Sequence, residues 1–194
     1  MALNKQALED KISALLALDS PPNAADPPDC ANKISDYIDE YLADIELNAF
    51  PAPGIQPTAP APTPDPTGPA TKAEPAAPLE AAQFRIDLVA VMVSKSGDFS
   101  TCGPQFVVDM ASMLNVSDEN GYAVAGASVC ATPPNIDAAF NKGKDGLSHI
   151  EVAKELANQI HSATTSTVFT AAGPYAKAAF VQTPPTPPYT SPFK

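Results

Sequence analysis

PAPGIQPTAPAPTPDPTGPATKAEPAAP, residues 51–78, holds ten of the chain's 23 prolines and, in Ile55, a single large aliphatic side chain. Each proline fixes φ near the polyproline II value, removes a backbone donor and pushes the preceding residue out of the helical region. Alternating Ala-Pro and Thr-Pro steps therefore exclude helix and central strand, and the tract is expected to run extended. At about 3.1 Å per residue it would span roughly 80 Å if straight, with Gly54 and Gly68 as bend points. Two roles fit such a segment: a free linker, or a strap laid along the surface of another protein.

The tract divides the chain into small parts. Residues 1–50 are expected to form an N-terminal helical hairpin unit, 51–78 the extended linker, 79–175 a C-terminal helical domain of two similar units, and 176–194 a second proline-rich tail. Units of this size bury little core on their own and need a partner or a covalent staple. The expected fold class is mainly α with short β-strands (α+β), built from helix-turn-helix-strand units.

Working outward toward the N-terminus, Leu8, Ile12, Leu15 and Leu16 share one helical stripe. Pro21 and Pro22 stop that helix, and a second is expected from a cap at Asp29, with Cys30, Ile34, Tyr37, Ile38, Tyr41, Leu42 and Ile45 facing inward. Asp36, Asp39, Glu40 and Asp44 make its wet face, and residues 45–50 alternate as a short strand would.

Toward the C-terminus, Leu79–Ser94 is apolar enough for a largely buried helix carrying Phe84, Leu88, Val91 and Met92. Gly103-Pro104 opens another, with Phe106, Val107, Met110, Met113 and Leu114 inward. GYAVAGASV alternates as a strand ending at Cys130. After a short helix bearing Ile136, Ala139 and Phe140, Ser148 and Glu151 form a capping box opening a helix with Val152, Leu156 and Ile160 on one side. His149 and His161 lie too far apart on that helix to share a metal ion and are expected at the surface. Thr167–Thr170 follows as a strand.

The order helix, turn, helix, strand thus recurs three times. At an offset of 122, Ala31, Ile34, Ile38 and Leu47 fall on Ala153, Leu156, Ile160 and Phe169. At an offset of 46, Phe106 and Met110 fall on Val152 and Leu156.

The net charge of −11 and pI near 4.4 argue against nucleic acid as a partner, because phosphate contacts need clustered Lys and Arg. There is no twenty-residue apolar run, and the start MALNKQALEDK lacks the pattern of a secretory signal, so no membrane partner and synthesis in a host cytoplasm are expected. Nucleophile-elbow, phosphate-loop and zinc-helix motifs are missing, and no cysteine–histidine spacing suggests a metal. The sequence points to a protein that is not an enzyme and uses no cofactor. Cys30, Cys102 and Cys130 are an odd set that leaves one thiol over after any pairing within the chain. Either all three are small buried hydrophobes, or at least one forms a disulfide to another chain after leaving a reducing cytosol.

The passages ANKISDYIDEYLADIELNAF (31–50) and VAKELANQIHSATTSTVFTAAG (152–173) resemble a motif of small accessory proteins of tailed bacteriophages. There a helix ending in an Ala/Ile-rich turn leads into a Val/Thr strand and a low-complexity segment. In the first passage, acidic residues stand where Ser, Thr or Lys would precede the strand. The resemblance implies a virion component, assembled in the host cytoplasm, that decorates or links capsid, neck, collar or tail subunits, with those virion proteins as its partners. Cys30, Cys102 and Cys130 are then candidates for interchain disulfides. Two other roles are open: a cytoplasmic adaptor whose proline tracts bind groove domains, or a phage scaffolding protein.

Overall fold

Six helices and six strands are described by the structure, a computed structural model covering residues 3–17, 27–45, 70–75, 83–118, 123–144, 146, 148–177, 180–182 and 189–193. The chain is mainly α with short strands, as its sequence predicts. Asn4 accepts the N–H of Ala7 (3.0 Å) and so caps α1, Lys5–Leu16. Helix α2, Pro27–Leu42, begins two residues before the expected cap at Asp29. Pro27 and Pro28 fit there because the first-turn N–H groups have no intrahelical acceptor anyway, and Asp29 lies in the favourable field of that first turn.

Helices α3, Gln83–Ser94, and α4, Cys102–Met113, form the second pair. Asp109 of α4 accepts the backbone N–H of Phe84 at 2.6 Å, so one helix caps the next from the side, and Gln105 donates to its other oxygen at 2.9 Å. Gly103 is required at the start of α4: a Cβ there would stand 2.0 Å from the carbonyl oxygen of Pro134. The third pair is α5, Ile136–Lys144, and α6, His149–Ser166. Ser148 accepts from the N–H of Glu151 and Glu151 accepts from that of Ser148, the reciprocal box expected from the sequence.

The order helix, helix, strand is found twice after the proline tract, as α3-α4-β2 and α5-α6-β4. Of the positions matched by spacing, Ala31, Ile34, Ile38, Phe106, Met110, Ala153, Leu156, Ile160 and Phe169 are all buried. The strand expected at 45–50 lies outside the described residues except for Ile45.

The expected separation into tethered units does not hold for the core. Leu8 and Ile12 of α1, Ile34 and Ile38 of α2, Phe84 of α3, Phe106 of α4, Leu156 and Ile160 of α6 and Phe169 of the sheet belong to one hydrophobic cluster. Helix α1 packs on α6 and α2 on α3, so the N-terminal hairpin completes the C-terminal core rather than standing apart. The reason is a shortage of apolar surface on each side: α1 and α6 each present a single apolar stripe, and each covers the other's.

The sheet is antiparallel throughout. Strands β1 (Ala70–Pro75), β2 (Leu114–Asp118), β3 (Ala123–Cys130) and β4 (Thr167–Lys177) are consecutive neighbours. Strands β5 (Phe180–Gln182) and β6 (Tyr189–Pro192) share the far edge of β4. Two findings revise the sequence reading. Residues 70–75, inside the expected spacer, pair with β2 from Lys72↔Ser117 to Pro75↔Leu114. The rest of 51–78 lies outside the described residues. The expected free tail also returns to the fold: β6 pairs with β4 from Ala171↔Tyr189 to Val168↔Pro192, and Phe193 is 2% exposed with its N–H on the carbonyl of Thr167 (3.0 Å). In both places a short run free of internal proline keeps its donors, so it can join a ladder at an edge, where proline is tolerated.

Candidate functional site

The C-terminal end of α1, the start of α2 and the end of α3 converge on an apolar groove of about 310 Å³. Leu15 and Leu16 come from α1, Pro27, Asp29 and Cys30 from α2, and Val91 and Met92 from α3. Lys95, Gly97 and Phe99 close it from the turn after α3. That turn is shaped by two residues with positive φ, Lys95 (54°) and Gly97 (67°). Side chains hold it: Ser94 Oγ donates to the carbonyl of Val91 (3.1 Å), and Asp98 accepts the N–H and the hydroxyl of Ser100 (3.1 and 2.6 Å). Phe99 is fixed as a wall by stacking on Phe140, with ring centroids 4.2 Å apart, and by donating its N–H to Asp137 (3.2 Å).

The Cys30 thiol belongs to the groove wall. Burial pushes its pKa up, the Asp29 carboxylate adds to this, and Lys33 opposes it only in part. The thiol is therefore protonated at neutral pH, and no histidine lines the groove to serve as its base. Its chemistry is that of a slow thiol in an apolar cleft.

The other two candidate cysteines lie elsewhere. Cys102, at 0% exposed, is packed in the core at the start of α4, and burial raises its pKa to about 11. Cys130 ends β3, half-buried, with its Sγ 3.2 Å from the carbonyl of Thr132 and 3.4 Å from that of Ala163. All three are free thiols, so the structure brings no two of them together. The candidate interchain disulfide narrows to Cys30 and Cys130, because Cys102 offers no surface to a second chain.

Beside the groove, α3 carries an exposed apolar stripe. The sequence reading made this helix largely buried; only Phe84 and Leu88 are, while Ile86 and Val93 are 55% and 52% exposed and Ala90 between them is exposed too. A helix that is apolar all round leaves its outer face for another surface.

His161 also departs from expectation. It is half-buried, with Nδ1 2.7 Å from the Tyr41 hydroxyl, and Lys5 on α1 donates to Asn158 one turn away (2.7 Å). Burial lowers its pKa and Lys5 lowers it further. Arg85 bridges α3 to α2, its Nε donating to Asn32 (2.9 Å) and its Nη1 3.0 Å from Asp36. Among the described residues no group of three or more His, Cys, Asp or Glu is placed to hold a metal ion, and no helix is long and apolar enough to cross a membrane.

No family model, curated protein or solved structure matches the chain. Function is therefore argued from its own surfaces. Neither the stripe nor the docked tail has a plain signal in sequence: the stripe needs the partners of α3 to be known, and the tail needs the open edge of β4.

Proposed function

We propose that this protein is a non-enzymatic structural component of a bacteriophage particle that links or decorates capsid, neck or collar subunits. The observation that carries the proposal is the exposed Ile86-Ala90-Val93 face of α3 beside the groove that bears Cys30. An apolar helix face next to a cleft is a contact surface for a folded neighbour. A thiol in the same region can be crosslinked to that neighbour once the assembly leaves a reducing cell. The likeness of 31–50 and 152–173 to phage accessory proteins points the same way, as does the proline-rich composition of 51–69, which suits a strap between subunits. The adaptor alternative is less favoured, because Tyr189–Phe193 is held on β4 instead of being presented as a polyproline ligand.

The test is to separate particles from the native source on a density gradient and follow this chain by immunoblot, with and without reductant. Co-sedimentation with mature particles supports the proposal, and a high-mass ladder that collapses to about 20 kDa on reduction adds the crosslink. Presence only in immature particles would make it a scaffolding protein. Absence from both would overturn the virion assignment.

A further inference from the structure

We infer that the groove between the end of α1, the start of α2 and the end of α3 binds a single-tailed anionic amphiphile, of the class of a medium-length fatty carboxylate, with its alkyl tail in the groove and its head group on Lys95. Such a small-molecule site is distinct from the docking of a folded neighbour on the outer stripe of α3.

Two observations carry it, one for each end of the ligand. The first is the wall. Leu15, Leu16, Val91, Met92 and Phe99 line the groove with hydrocarbon, and the unbranched Met92 adapts readily to an alkyl tail. A volume of about 310 Å³ lies at the small end of the roughly 300–1,000 Å³ typical of ligand cavities, which suits one tail and not the two of a membrane lipid.

The second is Lys95. It follows the last turn of α3 with φ 54°, the left-handed conformation in which helices commonly stop and where glycine is the usual residue. A lysine there costs backbone energy that glycine would not, so the position retains a side chain whose use lies outside the backbone. Lys95 is exposed at the rim and has no acidic partner among the described residues. The other charge in the lining is answered, because Asp29 pairs with Lys33 at 2.6 Å. Asp98, farther along the turn, directs its carboxylate to the N–H and hydroxyl of Ser100. The groove therefore offers one cation without a described counterion in a chain of net charge −11. Screening over about 8 Å at physiological salt makes distant carboxylates count for little against it. The long stem of Lys95 lets its ammonium follow a head group at the mouth while the tail stays on the wall.

The test uses the full-length chain and the Cys30 thiol, which lines the groove and is covered when the groove is filled. Decanoate, kept below the concentration at which it forms micelles, is titrated against the native protein during reaction with N-ethylmaleimide. Adducts on Cys30 and Cys130 are followed by peptide mass. The expected result is a saturable slowing of Cys30 modification to less than about a fifth of its rate, with Cys130 unchanged. Lys95→Asn tolerates the left-handed backbone but loses the charge, and should raise the decanoate concentration for half protection about tenfold. Lys95→Arg keeps the charge and should protect as the natural chain does. No protection of Cys30, or equal protection of Cys30 and Cys130, overturns the site. Protection that is unchanged in Lys95→Asn overturns the anionic class of the ligand. Each of these outcomes is read independently of co-sedimentation with particles, which tests the docking role alone.

Discussion

The Tyr41 hydroxyl and His161 Nδ1 meet at 2.7 Å across the interface of α2 and α6, with the rings edge to face at 68° and centroids 6.2 Å apart. Burial pushes the Tyr41 phenol up and the His161 imidazole down, so both are uncharged at neutral pH and share a single proton across this contact. Tyr41 from α2 and Lys5 from α1 both act on this ring.

Stability should depend on pH through this ring. The folded-state pKa of His161 is depressed below its ordinary 6.5, so the unfolded chain takes up the proton first. The contribution is complete above pH 6.5 and is lost as pH falls from 6.5 through the lower folded value. Urea midpoints at pH 7.5, 6.5 and 5.5 should decline for the natural chain and decline less for His161→Gln. Equal slopes for the two would show that His161 does not titrate differently in the fold.

Tyr41→Phe removes the hydroxyl but keeps the ring. The expected cost is about 1 kcal/mol. In the same variant the His161 resonance, followed by NMR titration, should move in pKa, which a purely steric role for Tyr41 would leave in place.

Gly103→Ala should destabilise the fold by about 1–3 kcal/mol, because the added methyl meets a backbone carbonyl that cannot rotate away. Chemical unfolding compares it with the natural chain. A neutral result would mean that the contact between α4 and the Pro134 loop is loose.

Removing the side cap on α3 should be costly as well. Asp109→Ala leaves the Phe84 N–H without its 2.6 Å acceptor in a buried place, for an expected loss of about 2 kcal/mol. Asp109→Asn, which keeps an acceptor oxygen, should recover part of it in the same measurement.

Thiol labelling of the native protein should modify two cysteines and spare the third. Cys102 is in the core and reacts only after denaturation, and Cys30, half-buried with a raised pKa, reacts slowly at neutral pH. Counting maleimide adducts by intact mass, before and after urea, checks the order. Fast labelling of Cys102 would contradict its burial.

Much of the helical scaffold was legible in the residues. The stripe Leu8-Ile12, the inward set Ile34-Ile38, the box Ser148-Glu151 and the strand ending at Cys130 are all local signals, set by period and cap chemistry within a few residues. The merger of the N-terminal hairpin with the rest was not, because it depends on α1 meeting α6 across more than 130 positions of sequence. The same holds for Asp109, an acidic residue on a helix that looks solvated until Phe84 is placed beside it. The proline rule misled in one respect: it argues against strand along the tract, yet it says nothing about the proline-free run 70–74, which keeps its donors and pairs with β2.

Strand β1 fixes one point of the proline tract to the sheet, while residues 43–69 separate that point from the end of α2. Loop-closure entropy grows only with the logarithm of length, so doubling that stretch would cost about 0.6 kcal/mol. Insertions and deletions of Ala, Pro and Thr upstream of Ala70 can therefore accumulate over generations with the register to β2 unchanged. The anchor gives the chain a length that is free to drift between two ends that are not.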